Sequence, residues 1–247
     1  MKRTHLTTLA ATSALLAAIP LPSHAQDDGE WEWMVAPYLW AASVGTDLTT
    51  RFPVSTGGTR FPDLIDDIDG AFQAHLEVQN DSFGMFADFT YIGLGDNKDF
   101  ERLSTDSQLD SYLFEAAAVW SPGEGRLKGI ELFGGLRYID VDLSVAFQPH
   151  DVQLGPLVLN PNDSYSDLML GARYTWAFAE RWRLTLRGDG SFGDTDGTWN
   201  ASIVGQYHVK YGQWLLGYRY LSVEVEDERR KIDLTMSGPM VGFGFVF

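Results

Sequence analysis

Apolar and polar residues alternate along most of this chain. Phe83, Met85 and Phe89 fall on one face of their segment, whereas Asp88 and Thr90 fall on the other. A period of two residues is typical of a β-strand with one apolar face. The pattern predicts ten strands, most of them near the ~10 residues of a transmembrane β-strand. They lie at residues 30–43, 70–79, 83–93, 112–120, 130–138, 167–178, 182–189, 199–211, 213–220 and 232–247.

The end of the chain alternates in the same way and has an aromatic face. Val241, Phe243, Phe245 and Phe247 share that face, and the chain stops on it. In a soluble protein such a strand would be an exposed edge that favours aggregation. In a membrane barrel it is the closing strand. The apolar parity switches at Gly238–Pro239, which predicts a bulge or kink there.

The segments between the predicted strands are alternately short and long. The short set comprises residues 80–82, 121–129, 179–181 and 211–213. The long set comprises residues 46–69, 95–107, 146–164, 193–197 and 224–230. Short turns at one end and longer loops at the other are typical of outer-membrane barrels, in which the short turns are periplasmic.

The sequence therefore predicts an all-β fold, a transmembrane antiparallel up-and-down β-barrel of about ten strands. The alternative is a soluble calyx-type ligand-binding barrel, in which the apolar face would point inward. Trp120, Trp176, Trp182 and Trp214 lie beside short turns. Their placement favours the membrane barrel, because aromatic side chains gather at the membrane interface.

Residues 1–25 have the three parts of a secretory signal peptide. Lys2 and Arg3 precede an apolar stretch at residues 9–21, and Ser23-His24-Ala25 is a small-x-small cleavage site. We expect residues 26–247 to form the barrel. The expected location is the bacterial outer membrane, reached by export and signal cleavage.

Composition narrows the expected partners. The formal charge is −16. Nucleic acids bind to basic surfaces, so this charge argues against a nucleic-acid partner. The chain has no cysteine, so disulfides do not stabilise it. We expect contacts with outer-membrane lipid and lipopolysaccharide.

The signal peptide, the alternating segments and the final Phe247 resemble the small outer-membrane β-barrel proteins of Gram-negative bacteria. The stretches at residues 33–42, 61–68 and 86–91 are similar to a group of such barrels without an assigned activity. The resemblance spans the mature chain but is mostly architectural. It implies that Phe247 is an assembly signal read by the barrel-assembly machinery during insertion.

The face opposite the apolar one carries many charged residues. Eight strands enclose an interior that side chains just fill, so ten leave limited room and inward charges must pair. An ion-pair plug is the favoured interpretation. A narrow polar channel and an internal catalytic dyad remain as alternatives. The predicted lumen charge network consists of Glu77, Asp88, Glu115, Glu131, Arg137, Arg173, Arg183, Arg187 and Arg219.

Two sets of loop residues suggest other chemistry. Asp63, Asp66, Asp67 and Asp69 are of the type that binds Ca²⁺ or Mg²⁺, but their spacing does not match a calcium-binding loop. We expect a solvated loop or helical turn there, with no metal and no cofactor.

His150–Asp151 places a base beside a carboxylate, as a rim-site hydrolase acting on lipid A or peptide would require. No nucleophile motif such as Gly-x-Ser-x-Gly accompanies this pair. We therefore expect a structural role or a minor passive pore rather than an enzyme.

Overall fold

The computed structural model of this chain describes residues 31–50, 57–59, 68–99, 103–123, 128–149, 157–159, 162–227 and 230–247. Within these ranges every regular element is a β-strand, and no helix is long and apolar enough to cross a membrane. The predicted signal peptide lies outside them. The strands are β1 (Glu32–Trp40), β2 (Ser43–Thr50), β3 (Gly57–Thr59), β4 (Ile68–Gln79), β5 (Phe83–Asp99), β6 (Leu103–Trp120), β7 (Gly129–Pro149), β8 (Leu157–Leu159), β9 (Asn162–Ala177), β10 (Trp182–Gly193), β11 (Gly197–Val209), β12 (Gly212–Asp227) and β13 (Arg230–Val246).

The strands close into a barrel. β1 and β2 follow β13 in a single register, since Trp40 lies opposite Met240 and Ser43 opposite Ser237. They therefore form one barrel strand, which is followed by β4, β5, β6, β7, β9, β10, β11, β12 and β13. Every pairing is antiparallel, and β1 joins β4 to β13. The prediction of a ten-stranded antiparallel barrel is confirmed.

Backbone hydrogen bonds between β1 and the residue after β13 complete this closure. The backbone N–H of Phe247 donates to the carbonyl of Trp33 at 2.9 Å, and that of Trp33 donates to Phe247 at 3.1 Å. β3 and β8 are short additions that pair with β2 and β7. The barrel has a short-turn end, where both termini of the described strands lie, and a long-loop end opposite.

Apolar side chains cover the outside of the barrel. The four tryptophans named above are between 47 and 55% exposed beside the short turns. Leu170 and Leu216 are exposed at the middle of their strands. This surface is the reverse of a soluble calyx and suits contact with lipid.

Several predicted loops are in fact strand. β5 and β6 stay paired as far as Asp99 and Ser104, and β6 and β7 as far as Leu103 and Pro149. The sequence of these extensions has runs of consecutive polar residues, for example Asp96, Asn97 and Lys98. Such runs show no alternation of apolar and polar residues. The strands predicted from the sequence are therefore shorter than the observed ones.

The predicted bulge at Gly238–Pro239 is wrong. β13 pairs with β12 without a register shift, with Arg219 opposite Gly238 and Tyr218 opposite Pro239. The parity of apolar residues changes because Leu234 and Met236 pack inside the lumen. The interior of the barrel is itself apolar at that height.

Pro37 ends the regular pairing between the first two barrel strands. The β1–β4 ladder runs from Glu32↔Gln79 to Pro37↔Ala74. Beyond it, the backbone N–H of Trp40 donates to the side-chain Oε1 of Gln73. A side chain thus replaces the missing strand pairing at this point of the wall.

Candidate functional site

A belt of ionisable side chains crosses the middle of the lumen. β4, β5, β6, β7, β9, β10 and β12 contribute to it, each from the face opposite its lipid-facing residues. We call it the charge belt. It consists of Glu77, Asp88, Glu115, Glu131, Asp189, Arg137, Arg173, Arg187, Arg219 and His75.

Glu115 on β6 is the centre of one half of the belt. Its fully buried carboxylate accepts hydrogen bonds from Arg137 at 2.8 Å, Arg187 at 2.9 Å and Arg219 at 2.9 Å. Asp189 accepts from Arg137 and, at 2.7 Å, from Arg187. Each charge therefore faces opposite charge, as burial of ions in a low-dielectric interior requires.

Arg173 on β9 is the centre of the other half. Its guanidinium donates to Glu77 and Glu131, and also to Oε1 of Gln79 at 3.2 Å. Glu131 accepts a further hydrogen bond from the hydroxyl of Ser121 at 2.9 Å. Ser121 thus donates to a lone pair of Glu131 that the guanidinium leaves free, and Gln79 accepts a hydrogen bond from Arg173 alongside the carboxylates.

His75 joins the two halves. Its Nε2 lies 3.2 Å from Glu77 and its Nδ1 lies 3.1 Å from Asp88. Asp88 also accepts from the hydroxyl of Tyr38 at 2.7 Å and from Arg219 at 3.3 Å. The belt is thus one connected network across the barrel.

Aromatic rings lie against two of the arginines of the belt. The guanidinium of Arg187 lies 5.0 Å from the ring centres of both Phe86 and Phe133. The guanidinium of Arg219 lies 5.0 Å from the ring of Trp40. Cation–π contacts of this kind stabilise a desolvated cation, and they join the belt to the apolar layers beside it.

An apolar layer, contributed by the first barrel strand, β6, β7 and β12, lies in the lumen between the belt and the long-loop end. On three strands it begins two residues beyond a belt residue, with Leu113 beyond Glu115 on β6, and Ile139 and Leu221 in the same position on β7 and β12. All its members are at most 6% exposed. We call this layer the apolar collar, and it consists of Tyr38, Trp40, Ala42, Leu113, Ile139, Leu221 and Val223.

The short-turn half of the lumen is divided. On the side of β5, β6, β7 and β9 the space holds a second apolar cluster, whose Phe133 lies between the belt residues Glu131 and Arg137 on β7. The cluster consists of Phe86, Ala117, Val119, Phe133 and Met169. On the side of β10–β13 it is hollow. The apolar collar had no counterpart in the sequence prediction, although residues that are apolar on both faces of a strand, such as Leu113–Phe114, were a signal for it.

The hollow side holds two neighbouring cavities. The outer cavity, of about 200 Å³, lies at the short-turn rim beside Arg183, His208 and Lys210. The inner chamber, of about 120 Å³, reaches the belt at Arg187 and Arg219. Met34, Glu77 and Gln213 line both. We call the two together the vestibule.

Eight members of the predicted lumen network lie in the charge belt, and Arg183 does not. Arg183 lines the outer cavity of the vestibule instead. Period-two alternation predicts the inner face for Arg183. Because Arg183 lies next to the short turn, it is closer to that end of the barrel than the belt is. His75 and Asp189, which complete the belt, are also inward-facing by parity.

The candidate loop residues are mostly outside the described part of the chain. This applies to Asp63, Asp66 and Asp67, and to the pair His150–Asp151. Asp69 is described and is exposed at the start of β4. Within the described ranges no group of three or more His, Asp or Glu side chains could hold a metal ion.

Comparison with known proteins identifies the fold. No protein-family model matches the chain, and no curated protein matches it. The outer-membrane protease OmpT from Escherichia coli is similar in structure, with a TM-score of 0.51 and 10% identity over 91% of this chain and 99% of that one. The attachment invasion locus protein Ail of Yersinia pestis matches with a TM-score of 0.40 and 10% identity, over 90% of this chain and 100% of Ail. The chain has the closed β-barrel fold of Gram-negative outer-membrane proteins.

Proposed function

We propose that this protein is a structural barrel of the bacterial outer membrane whose lumen is sealed and does not conduct. The observation that carries the proposal is the stacking of the apolar collar on the charge belt. Short turns in such barrels face the periplasm. In this orientation the collar lies toward the outside of the cell and the vestibule toward the periplasm.

The pairing within the belt supports a seal rather than a channel. An ion crossing at Glu115 would have to displace guanidinium groups from Arg137, Arg187 or Arg219, at contacts of 2.8–2.9 Å. Separating a buried ion pair is costly. The ion would then have to pass an apolar layer, which excludes water and ions by dewetting.

A minor passive pore is the less supported alternative. The sequence allowed for a narrow polar channel, which would need its acidic and basic side chains to stand apart on separate walls. In the structure the two walls meet, because Arg173 of β9 donates directly to Glu77 of β4. A pore would require the belt and the collar to rearrange together.

The outside of the barrel supports the remaining parts of the proposal. Its exposed apolar band would contact outer-membrane lipid, with lipopolysaccharide at the long-loop end. Phe247 is 41% exposed at the end of the closing strand, where the barrel-assembly machinery could read it.

Planar-bilayer recordings test the seal. We expect that the purified protein adds no sustained conductance to the bilayer, because an ion would have to cross both the belt and the collar. Insertion is verified independently by the shift in electrophoretic mobility between unheated and heated samples. Sustained open steps from correctly folded protein would contradict the proposal and favour the passive pore.

A further inference from the structure

The vestibule contains buried polar atoms that have no hydrogen-bond partner in the described part of the chain. They are Oε1 of Gln206, Oε1 of Gln213 and Nε2 of His208. Gln206 is 8% exposed and Gln213 is 1% exposed. All three side chains line the vestibule. Buried polar atoms without partners are rare and costly, so these atoms mark where a bound molecule would make its hydrogen bonds.

These residues are held in place by their other contacts. Nε2 of Gln206 donates to the hydroxyl of Thr185 at 3.2 Å, and Thr185 in turn lies 2.8 Å from the hydroxyl of Thr175. Nε2 of Gln213 donates to the sulfur of Met34 at 2.9 Å. The backbone N–H of His208 donates to the carbonyl of Arg181 at 2.8 Å. The unpartnered atoms are therefore part of a preorganised site.

The charges that line the vestibule disfavour a cation. Its basic side chains outnumber its acidic ones, and the acids Glu77 and Asp88 already form ion pairs. Lys210 stands at the rim with its ammonium 4.9 Å from the ring of Tyr211. The lining charges are Arg173, Arg183, Arg187, Lys210 and Arg219 against Glu32, Glu77 and Asp88.

The unpartnered atoms also disfavour a simple anion. An anion brings acceptors only, and two of these atoms are amide oxygens, which need donors. A hydroxyl group both donates and accepts. It can therefore satisfy the amides of Gln206 and Gln213 in either orientation, and His208 in either tautomer.

We infer that the vestibule is a binding site for a small neutral polyol, of the size of a monosaccharide or cyclitol, that enters from the short-turn end. One water molecule needs about 10–15 Å³ of cavity, so the outer cavity of about 200 Å³ has room for a larger guest. The inference goes beyond the proposed function and does not rest on it, because this site can fill whether or not the barrel conducts.

Saturation-transfer NMR with myo-inositol as the probe tests the site, using the purified protein in sugar-free detergent micelles. We expect saturation to pass from the protein to myo-inositol and not to ethylammonium, a cation of smaller size. Gln206→Leu and Gln213→Leu should each weaken binding about five- to tenfold, the value of one neutral hydrogen bond.

Two further variants control the experiment. Gln108→Leu removes an exposed glutamine near the long-loop end and should leave the binding unchanged. Ser202→Phe places a ring in the inner chamber and should abolish the binding. Folding of each variant is verified by heat-modifiable mobility. Absence of transfer to myo-inositol in the wild type, as in a vestibule that holds only water, would overturn the inference. Binding by both leucine variants as tight as that of the wild type would overturn it as well.

Discussion

At the scale of single residues, Glu115 shows how several charges can be buried together in a barrel. Its carboxylate is the shared acceptor of Arg137, Arg187 and Arg219. Each of these arginines projects inward from a different strand of the wall, β7, β10 and β12. The stability of the belt therefore depends on one acidic side chain more than on any single arginine.

Replacing Glu115 with Gln should destabilise the barrel strongly. The change leaves three guanidinium groups with one carboxylate fewer, and removal of one member of a buried ion pair costs about 3–5 kcal/mol. The measurement is the free energy of unfolding in urea, followed by tryptophan fluorescence in lipid vesicles.

Glu180→Gln is the matched control, because Glu180 is exposed in a short turn. Exposed substitutions of this kind usually change stability by less than about 0.5 kcal/mol. Equal stabilities of the two variants would show that the belt does not hold the barrel together.

The sequence located the charged residues on the inner face but not their partners. Alternation decides only whether a side chain points inward or outward. Arg173 and Glu77 are 96 residues apart in the chain. Their contact depends on strand tilt and barrel closure, which no local pattern contains. The position of Arg183 outside the belt has the same cause.

At the scale of elements, β13 joins the two parts of the first barrel strand. Gly238 faces the interruption between β1 and β2, where a Cβ atom would lie 1.9 Å from the carbonyl oxygen of Ala41. The close approach lets Ala41 donate its N–H to Pro239 at 2.8 Å. Closure of the barrel at this point therefore requires glycine at position 238.

Gly238→Ala should weaken closure between β13 and the first barrel strand. Forcing a methyl group against backbone typically costs about 1–3 kcal/mol. Gly188→Ala is the control, since a Cβ at Gly188 meets no atom within 4 Å. The measurement is the free energy of unfolding of both variants in urea. Equal free energies would show that the close approach at Gly238 is not needed for closure of the barrel.

Strand pattern also contained an unused signal for the apolar collar. Leu113–Phe114, Tyr138–Ile139 and Tyr220–Leu221 are pairs of neighbouring apolar residues inside alternating strands. One member of each pair faces outward and the other packs in the lumen. In β13 the parity switch at Gly238–Pro239 is a further sign of the apolar interior, although from the sequence it is interpreted as a bulge or kink.

At the scale of the whole molecule, the lumen is layered. From the long-loop end it contains the apolar collar, the charge belt and then the vestibule, which opens at the short turns. The two cavities described above both lie in the last layer. This arrangement accounts for both proposals, since the upper layers seal the barrel and the lowest layer remains accessible from one end.

Thiol accessibility tests this layering most directly, because the chain has no cysteine and single ones can be introduced freely. Three variants in lipid nanodiscs, whose two faces are both open to solvent, are treated with a small charged thiol reagent. Ser164→Cys is exposed near the long-loop end, Ser202→Cys lies in the vestibule, and Ala42→Cys lies in the collar. We predict that the reagent modifies Ser164→Cys and Ser202→Cys, whereas Ala42→Cys is protected. If Ala42→Cys were modified as fast as Ser202→Cys, the result would contradict a sealed lumen.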